Sequence, residues 1–201
     1  RAKVSEWYPT MRDNTDLTSV VNDRQHARLT GYLEDAEKKG AKIIQVNPAN
    51  EDFSGTNKIP FTLVLNVTDD MHIAQEEIFG PLMIVHAYDH LKDALQFVND
   101  RPRPLALYYF DWNQNNADYV LANTHSGGVC LNDTMSQVLA DDIPFGGIGP
   151  SGMGHYHGHE GFLTFSHAKG VFKKGKINGT KLILPPYGGK LLNFLYKLLI
   201  K

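Results

Sequence analysis

Between Ile43 and Leu131 short apolar runs alternate with amphipathic helical segments, and that alternation leaves few architectures open. The runs are 43–46, 61–67, 82–88, 105–110 and 129–131, each bounded by Gly, Pro, Asn or Asp. Helical spacing falls between them. Leu29, Tyr32, Leu33 and Ala36 recur at i, i+3, i+4 and i+7 within 20–39, and Gly40 supplies a stop. Leu91, Ala94, Leu95 and Val98 repeat the pattern ahead of Arg101-Pro102-Arg103-Pro104. A third segment, 113–124, carries Ala117, Val120 and Leu121 and closes at Ser126-Gly127-Gly128. Strands joined through helices require crossover connections, so the spacing predicts an α/β fold: a mainly parallel sheet with helices on both faces. The run 82–88 is expected to be a buried strand, and functional groups are expected at strand ends.

Composition sets the outer limits. The chain has 201 residues, 42% of them hydrophobic, which is enough for a core without a disulfide or metal staple. Twenty Lys and Arg against 22 Asp and Glu leave a net charge of −2, too balanced for a nucleic-acid binder. The single Cys130 cannot close an intramolecular disulfide, and no run of about 18 apolar residues marks a membrane span; both point to a reducing, cytoplasmic setting. The chain opens on Arg1 and enters a helix-like stretch at once, which reads as a piece of a longer protein.

Several local motifs carry chemistry only in the right context. Gly147-Ile148-Gly149-Pro150-Ser151-Gly152 matches the dinucleotide fingerprint G-x-G-x-x-G, but that fingerprint must follow a strand and open a helix. Here Asp141-Asp142-Ile143-Pro144 precedes it and no helical period follows. His155, His157 and His159 alternate and would share one side of an extended segment, as zinc ligands can, yet only Glu160 stands near them as a further ligand. Their expected role is to hydrogen-bond a glycine-rich turn, with no metal. Cys130 lies inside an apolar strand, where a thiol behaves as a small hydrophobe. The tail 190–201 sets Leu191, Phe194, Leu195 and Leu198 on one helical stripe and Lys190, Asn193, Lys197 and Lys201 on another. Such a helix docks on a subunit or over a pocket mouth more readily than on a membrane, although membrane contact stays open. The Asn-x-Thr triplets at Asn66, Asn132 and Asn178 have no secretory context.

Four ordered motifs then fall together. Gln75-Glu76-Glu77-Ile78-Phe79-Gly80-Pro81 resembles the E-E-x-F-G-P segment of NAD(P)-dependent aldehyde dehydrogenases. Leu105-Ala106-Leu107-Tyr108, Ser126-Gly127-Gly128-Val129-Cys130-Leu131-Asn132-Asp133, and the run from Pro144-Phe145-Gly146-Gly147 to Tyr156-His157-Gly158 follow in that family's order. The forms L-A-L-Y, S-G-M-G-x-Y-H-G and F-x-T-F-S-H look most like its class 3 and coniferyl aldehyde dehydrogenase branch. The likeness covers nearly the entire chain.

The resemblance implies oxidation of an aldehyde to the acid, with hydride passing to NAD or NADP after a Cys thiolate has attacked the carbonyl. Motif by motif, Glu77 is expected to bind the nicotinamide ribose, Phe79 to pack beside the nicotinamide ring, and Phe145 to line the aldehyde pocket. Asn132, His155 and His157 are expected to brace the active-site loops. The family's nucleophilic Cys, its general-base Glu and its nucleotide loop match no position here, and Cys130 falls on a variable position. No catalytic residue is therefore expected in this chain, and residues 1–201 alone are expected to be inactive. Residues 1–160 would be the later part of the catalytic domain, and 161–201 an oligomerisation arm and tail. A β arm over 164–174 would add a strand to a second copy in a homodimer. The competing expectation is a non-catalytic pseudoenzyme or oligomerisation domain of the same fold.

Overall fold

The computed structural model describes residues 1–177, 179, 184, 185 and 187–200. It divides into two compact units, Arg1–Gln96 and Phe97–Lys201.

In the first unit, α1 (Ala2–Trp7) leads by a turn-rich segment to α2 (Asp23–Lys38). The second helix starts later than the apolar spacing alone suggests, because Asn22 takes the cap: its side chain accepts a hydrogen bond from Gln25 N. It ends as expected. Gly40 adopts φ +96°, and Ala41 N returns to Ala36 O at 2.8 Å, closing the last turn. Three strands follow, β1 (Lys42–Gln45), β2 (Thr62–Leu65) and β3 (Leu82–Val85), with the one-turn helix α3 (His72–Gln75) between the last two. They form one sheet in the order β1-β2-β3. The β2–β3 pair is parallel, with Thr62 opposite Leu82, whereas β1–β2 is antiparallel because residues 46–61 connect them without a helix.

One buried cluster holds this unit together, with Leu29, Tyr32 and Ala36 of α2 against Val64, Met71 and Leu82. Leu29, Ala36, Val64 and Met71 are wholly inaccessible. The strand expected to be buried over 82–88 is shorter and half open. As an edge strand it buries Leu82 but leaves Met83 62% exposed.

The helix α4 (Leu91–Asn99) buries Leu95. The second unit continues through β4 (Ala106–Tyr109), α5 (Gln114–Asn123) and β5 (Gly128–Leu131). This is the βαβ crossover read from the spacing, and β4 and β5 pair in parallel with Tyr108 opposite Cys130. Among the described residues the five strands thus form two sheets, with two of the three strand pairs parallel. Ala117 and Val120 form the buried side of α5. After β5 come the short helix α6 (Ser136–Leu139), a 3-10 turn (Gly149–Ser151), α7 (Gly158–Thr164) and α8 (Lys190–Leu199).

In α8 the buried residue is Leu192, and the stripe of Leu191, Phe194 and Leu198 is exposed. The apolar residues wrap so much of this helix that the stripe alone could not tell which side packs. Residues 165–177 form no strand within the chain, and Phe165, Val171 and Phe172 are exposed. Asn178 and Lys201 lie outside the described residues. No helix among the described residues is long and apolar enough to cross a membrane.

Candidate functional site

In the first unit the residues expected to carry function sit on the loop between α3 and β3. Glu77 is exposed and Phe79 is 76% exposed, so both side chains are free to meet a ligand. Phe79 also adopts φ +50°. A left-handed backbone costs an L-residue about 1–2 kcal/mol, so something must hold it there. The next residue shows how closely the loop lies on the core, since a Cβ at Gly80 would stand 2.4 Å from Leu29 Cδ1. Beside the loop is an apolar cavity of about 460 Å³ walled by Tyr8, Leu17, Val20, Phe61, Phe79 and Pro81.

The loop's backbone is gripped from α2. Arg28 Nη2 donates to the carbonyls of Glu77 (2.9 Å) and Ile78 (2.7 Å), while Gln25 Nε2 donates to those of Ile78 (3.2 Å) and Phe79 (3.1 Å). Arg28 is itself held by Gln25 Oε1 at 2.8 Å and by the Tyr32 hydroxyl at 2.5 Å. Sequence reasoning passed over both residues. On an amphipathic helix they look like the solvated face, and only their i, i+3 spacing beside Leu29 and Tyr32 hints at a partner.

In the second unit the structure brings Phe145, His155 and His157 together. Phe145 and Tyr156 exchange two backbone hydrogen bonds of 2.9 Å, and their rings meet edge to face at 5.6 Å. His157 packs edge-on against Tyr156 at 4.3 Å. His155 Nε2 lies 3.2 Å from Glu160 Oε2, and its carbonyl accepts from Thr164 Oγ1. The expectation that both imidazoles hydrogen-bond the turn therefore needs correcting at His157: its Nδ1 is buried without a partner among the described residues, and the ring acts by packing. No group of three or more His, Cys, Asp or Glu side chains among the described residues could hold a metal ion.

The glycine-rich segment folds on itself rather than around a phosphate. A Cβ on Gly147 would come within 2.0 Å of Ser151 O, and one on Gly146 within 2.2 Å of Gly154 O. Ser151 Oγ accepts from Ile148 N at 2.9 Å and closes the turn. Of the three glycines in the motif, Gly147 is thus packed against the turn's own backbone, while Gly149 has open space around it. A smaller cavity of about 240 Å³ opens beside the turn, walled by Gly127, Pro144, Gly147, Ile148 and His155.

Asn132 stands just past β5 at φ +57° and locks the end of β4. Its Oδ1 accepts from Asp111 N at 2.9 Å and its Nδ2 donates to Asp111 O at 3.0 Å. The Asp111 side chain anchors the same corner. Donation from Asn116, then from the Asn113 N–H, holds its carboxyl below the usual carboxylate range. Asp111 was not foreseen as a site-supporting residue. Cys130 is free and half-buried within β5.

Comparison with known proteins accounts for this arrangement. The family model described as aldehyde dehydrogenase family matches residues 2–171. A probable coniferyl aldehyde dehydrogenase of Pseudomonas aeruginosa is 54% identical over 98% of this chain and 41% of its own length. The coniferyl aldehyde dehydrogenase of Pseudomonas sp. strain HR199 is 45% identical, over 98% of this chain and again 41% of its own. Among solved structures, a substrate-bound state of Staphylococcus aureus AldH superposes with a TM-score of 0.77 at 35% identity, covering 98% of this chain and 42% of that one. A betaine aldehyde dehydrogenase of Staphylococcus aureus in complex with NAD+ gives 0.66 at 27% identity, covering 76% and 30%. The chain thus spans about two fifths of the length of the curated relatives it matches. With a match over residues 2–171 and a relative 54% identical across 98% of it, the chain belongs to the aldehyde dehydrogenase family.

Proposed function

We propose that the protein carrying this chain is an NAD(P)-dependent aldehyde dehydrogenase, oxidising an aldehyde to its carboxylic acid, and that Glu77 and Phe79 receive the nicotinamide end of the coenzyme. The observation that carries this reading is the loop 76–81, where an exposed carboxylate and an exposed ring are held on a left-handed, clamped backbone. The residues fit the group. Two carboxylate oxygens on Glu77 can accept both ribose hydroxyls, and the open ring of Phe79 offers an apolar face to a flat heterocycle. When bound, the coenzyme supplies the hydride acceptor. Glu77 orients its sugar, and Phe79 limits the positions its ring can take.

In the same reading Phe145 lines the aldehyde pocket, while Asn132, His155 and His157 keep the surrounding loops in place. An aromatic aldehyde such as coniferyl aldehyde is favoured by the relatives of that name, with a medium-chain aliphatic aldehyde as the alternative. The attacking thiolate, and the carboxylate that activates water for thioester hydrolysis, belong to sequence outside residues 1–201. Residues 1–160 then serve as part of the catalytic domain and 161–201 as arm and tail, with the exposed Phe165, Val171 and Phe172 placed to pair with a second copy.

The test is made on the protein at the length of its curated relatives. Wild type should reduce coenzyme in the presence of coniferyl aldehyde, and Glu77→Gln should lower kcat/KM by about tenfold or more, the loss of one charge-assisted hydrogen-bonding group. The isolated 201 residues should give no turnover. Absence of aldehyde-dependent coenzyme reduction at full length, with a dimer still seen by light scattering, would favour the pseudoenzyme reading instead.

A further inference from the structure

We propose that Gln25 and Arg28 are positioning residues: acting from α2, they fix the backbone that carries Glu77 and Phe79 and thereby set the affinity for the coenzyme. The inference rests on the coenzyme reading above and adds two residues to it.

Four hydrogen bonds from these two side chains converge on three consecutive carbonyls, those of Glu77, Ile78 and Phe79. Loop carbonyls commonly turn to water or to a neighbouring strand; here they turn to a guanidinium and an amide, both half-buried. The donors are themselves immobilised. Arg28 Nε donates to Gln25 Oε1, Nη1 donates to the Tyr32 hydroxyl, and the guanidinium carbon stands 4.9 Å from the centre of the Tyr32 ring. Tyr32 is buried in the core on the same 16-residue helix, so the clamp is anchored to the buried cluster of the unit. The gripped segment includes the bulky residue with φ +50°, a conformation that persists only when its surroundings over-determine it. Guanidinium geometry matters. One guanidinium serves four acceptors at once, the carbonyls of Glu77 and Ile78, Gln25 Oε1 and the Tyr32 hydroxyl, one more than the three N–H groups of a Lys ammonium can supply.

Hydrogen exchange tests the clamp in the chain itself. In Arg28→Ala, the amides of residues 77–80 should exchange about tenfold faster, while those of β2 keep their rates. In the full-length enzyme the dissociation constant for NAD+, measured by equilibrium titration without aldehyde, should rise about tenfold. The KM for aldehyde should stay within about twofold. Arg28→Lys should fall between wild type and Arg28→Ala in both readouts. Gln25→Ala leaves the Arg28–Tyr32 contact in place and should shift both about threefold; it carries the test if Arg28→Ala does not fold.

A merely structural role would speed exchange across β2 as well and leave NAD+ affinity untouched, and that result would overturn the inference. So would unchanged exchange at 77–80 in a folded variant. A wild-type enzyme that binds neither NAD+ nor NADP+ would instead overturn the proposed function. Binding by wild type with unchanged affinity in Arg28→Ala would sink the positioning role alone.

Discussion

The two units hold their loops by opposite means. In the first, the loop 76–81 is gripped from outside, by side chains of a helix that also builds the core. In the second, the loop 144–156 holds itself, backbone against backbone, with glycines where any side chain would collide. The burial differs in parallel: Leu29, Ala36, Val64 and Met71 are wholly inaccessible in one unit, while Val120 at 1% is the most deeply buried apolar residue among the described residues of the other. A loop built on a dense core can be held by a few long side chains. A loop with less beneath it has to be shaped by its own main chain.

The strongest way to break this comparison is Leu29→Ala. It opens a cavity at the base of α2, should cost about 2–5 kcal/mol in urea unfolding, and should also loosen residues 77–80 in hydrogen exchange. If the cost is real but the loop stays protected, the core does not support the loop. Next in size is Gly147→Ala, where the new methyl would meet Ser151 O and the turn must open. A loss of about 1–3 kcal/mol is expected, with faster exchange confined to the second unit. An effect near zero would mean that the self-packed loop yields easily.

Phe79 sharpens the contrast in the other direction. Because its backbone is left-handed, Phe79→Gly should be more stable than Phe79→Ala by about 1 kcal/mol in matched urea melts, although both remove the ring. Equal stabilities would mean that the loop relaxes once the ring is gone.

The smallest effect is acid sensitivity, expected in both units. Asp35 on α2 is held below the ordinary value of 3.8, chiefly by the N–H of His72 and then by Lys39. Asp111 is held down by Asn116 and then by the Asn113 N–H. Each carboxylate titrates lower in the folded chain than in the unfolded one. Its contribution is therefore complete above the ordinary carboxylate range and is lost as pH falls through the folded value. Melting temperatures followed from pH 6 downward should fall below about pH 4. Asp35→Asn and Asp111→Asn should each flatten part of that fall, and parallel curves for wild type and variant would remove the residue from the account.

Much of this was legible in the chain. Apolar spacing located the strands and the helix containing Leu29, Tyr32 and Ala36 to within a few residues, because burial imposes periods of 2 and 3.6 on the side chains. The motif around Glu77 and Phe79 marked the loop where both are exposed. What stayed hidden was pairing across long separations. Nothing in the sequence joins Arg28 to Ile78, 50 positions on, or Asn132 to Asp111, 21 positions back. The open edge of β3 was missed because a run of four apolar residues looks alike in a central and an outer strand.

The near contact between Gly80 and Leu29 has an evolutionary consequence. With only 2.4 Å between Leu29 Cδ1 and the place a methyl would take, a side chain at 80 would force the buried Leu29 to shift. A larger residue at 80 demands a smaller one at 29, and a bulkier one at 29 pushes directly on the peptide next to Phe79. Packing inside this unit is thereby tied to the loop that carries Phe79, so a change in the interior is felt at an exposed aromatic ring.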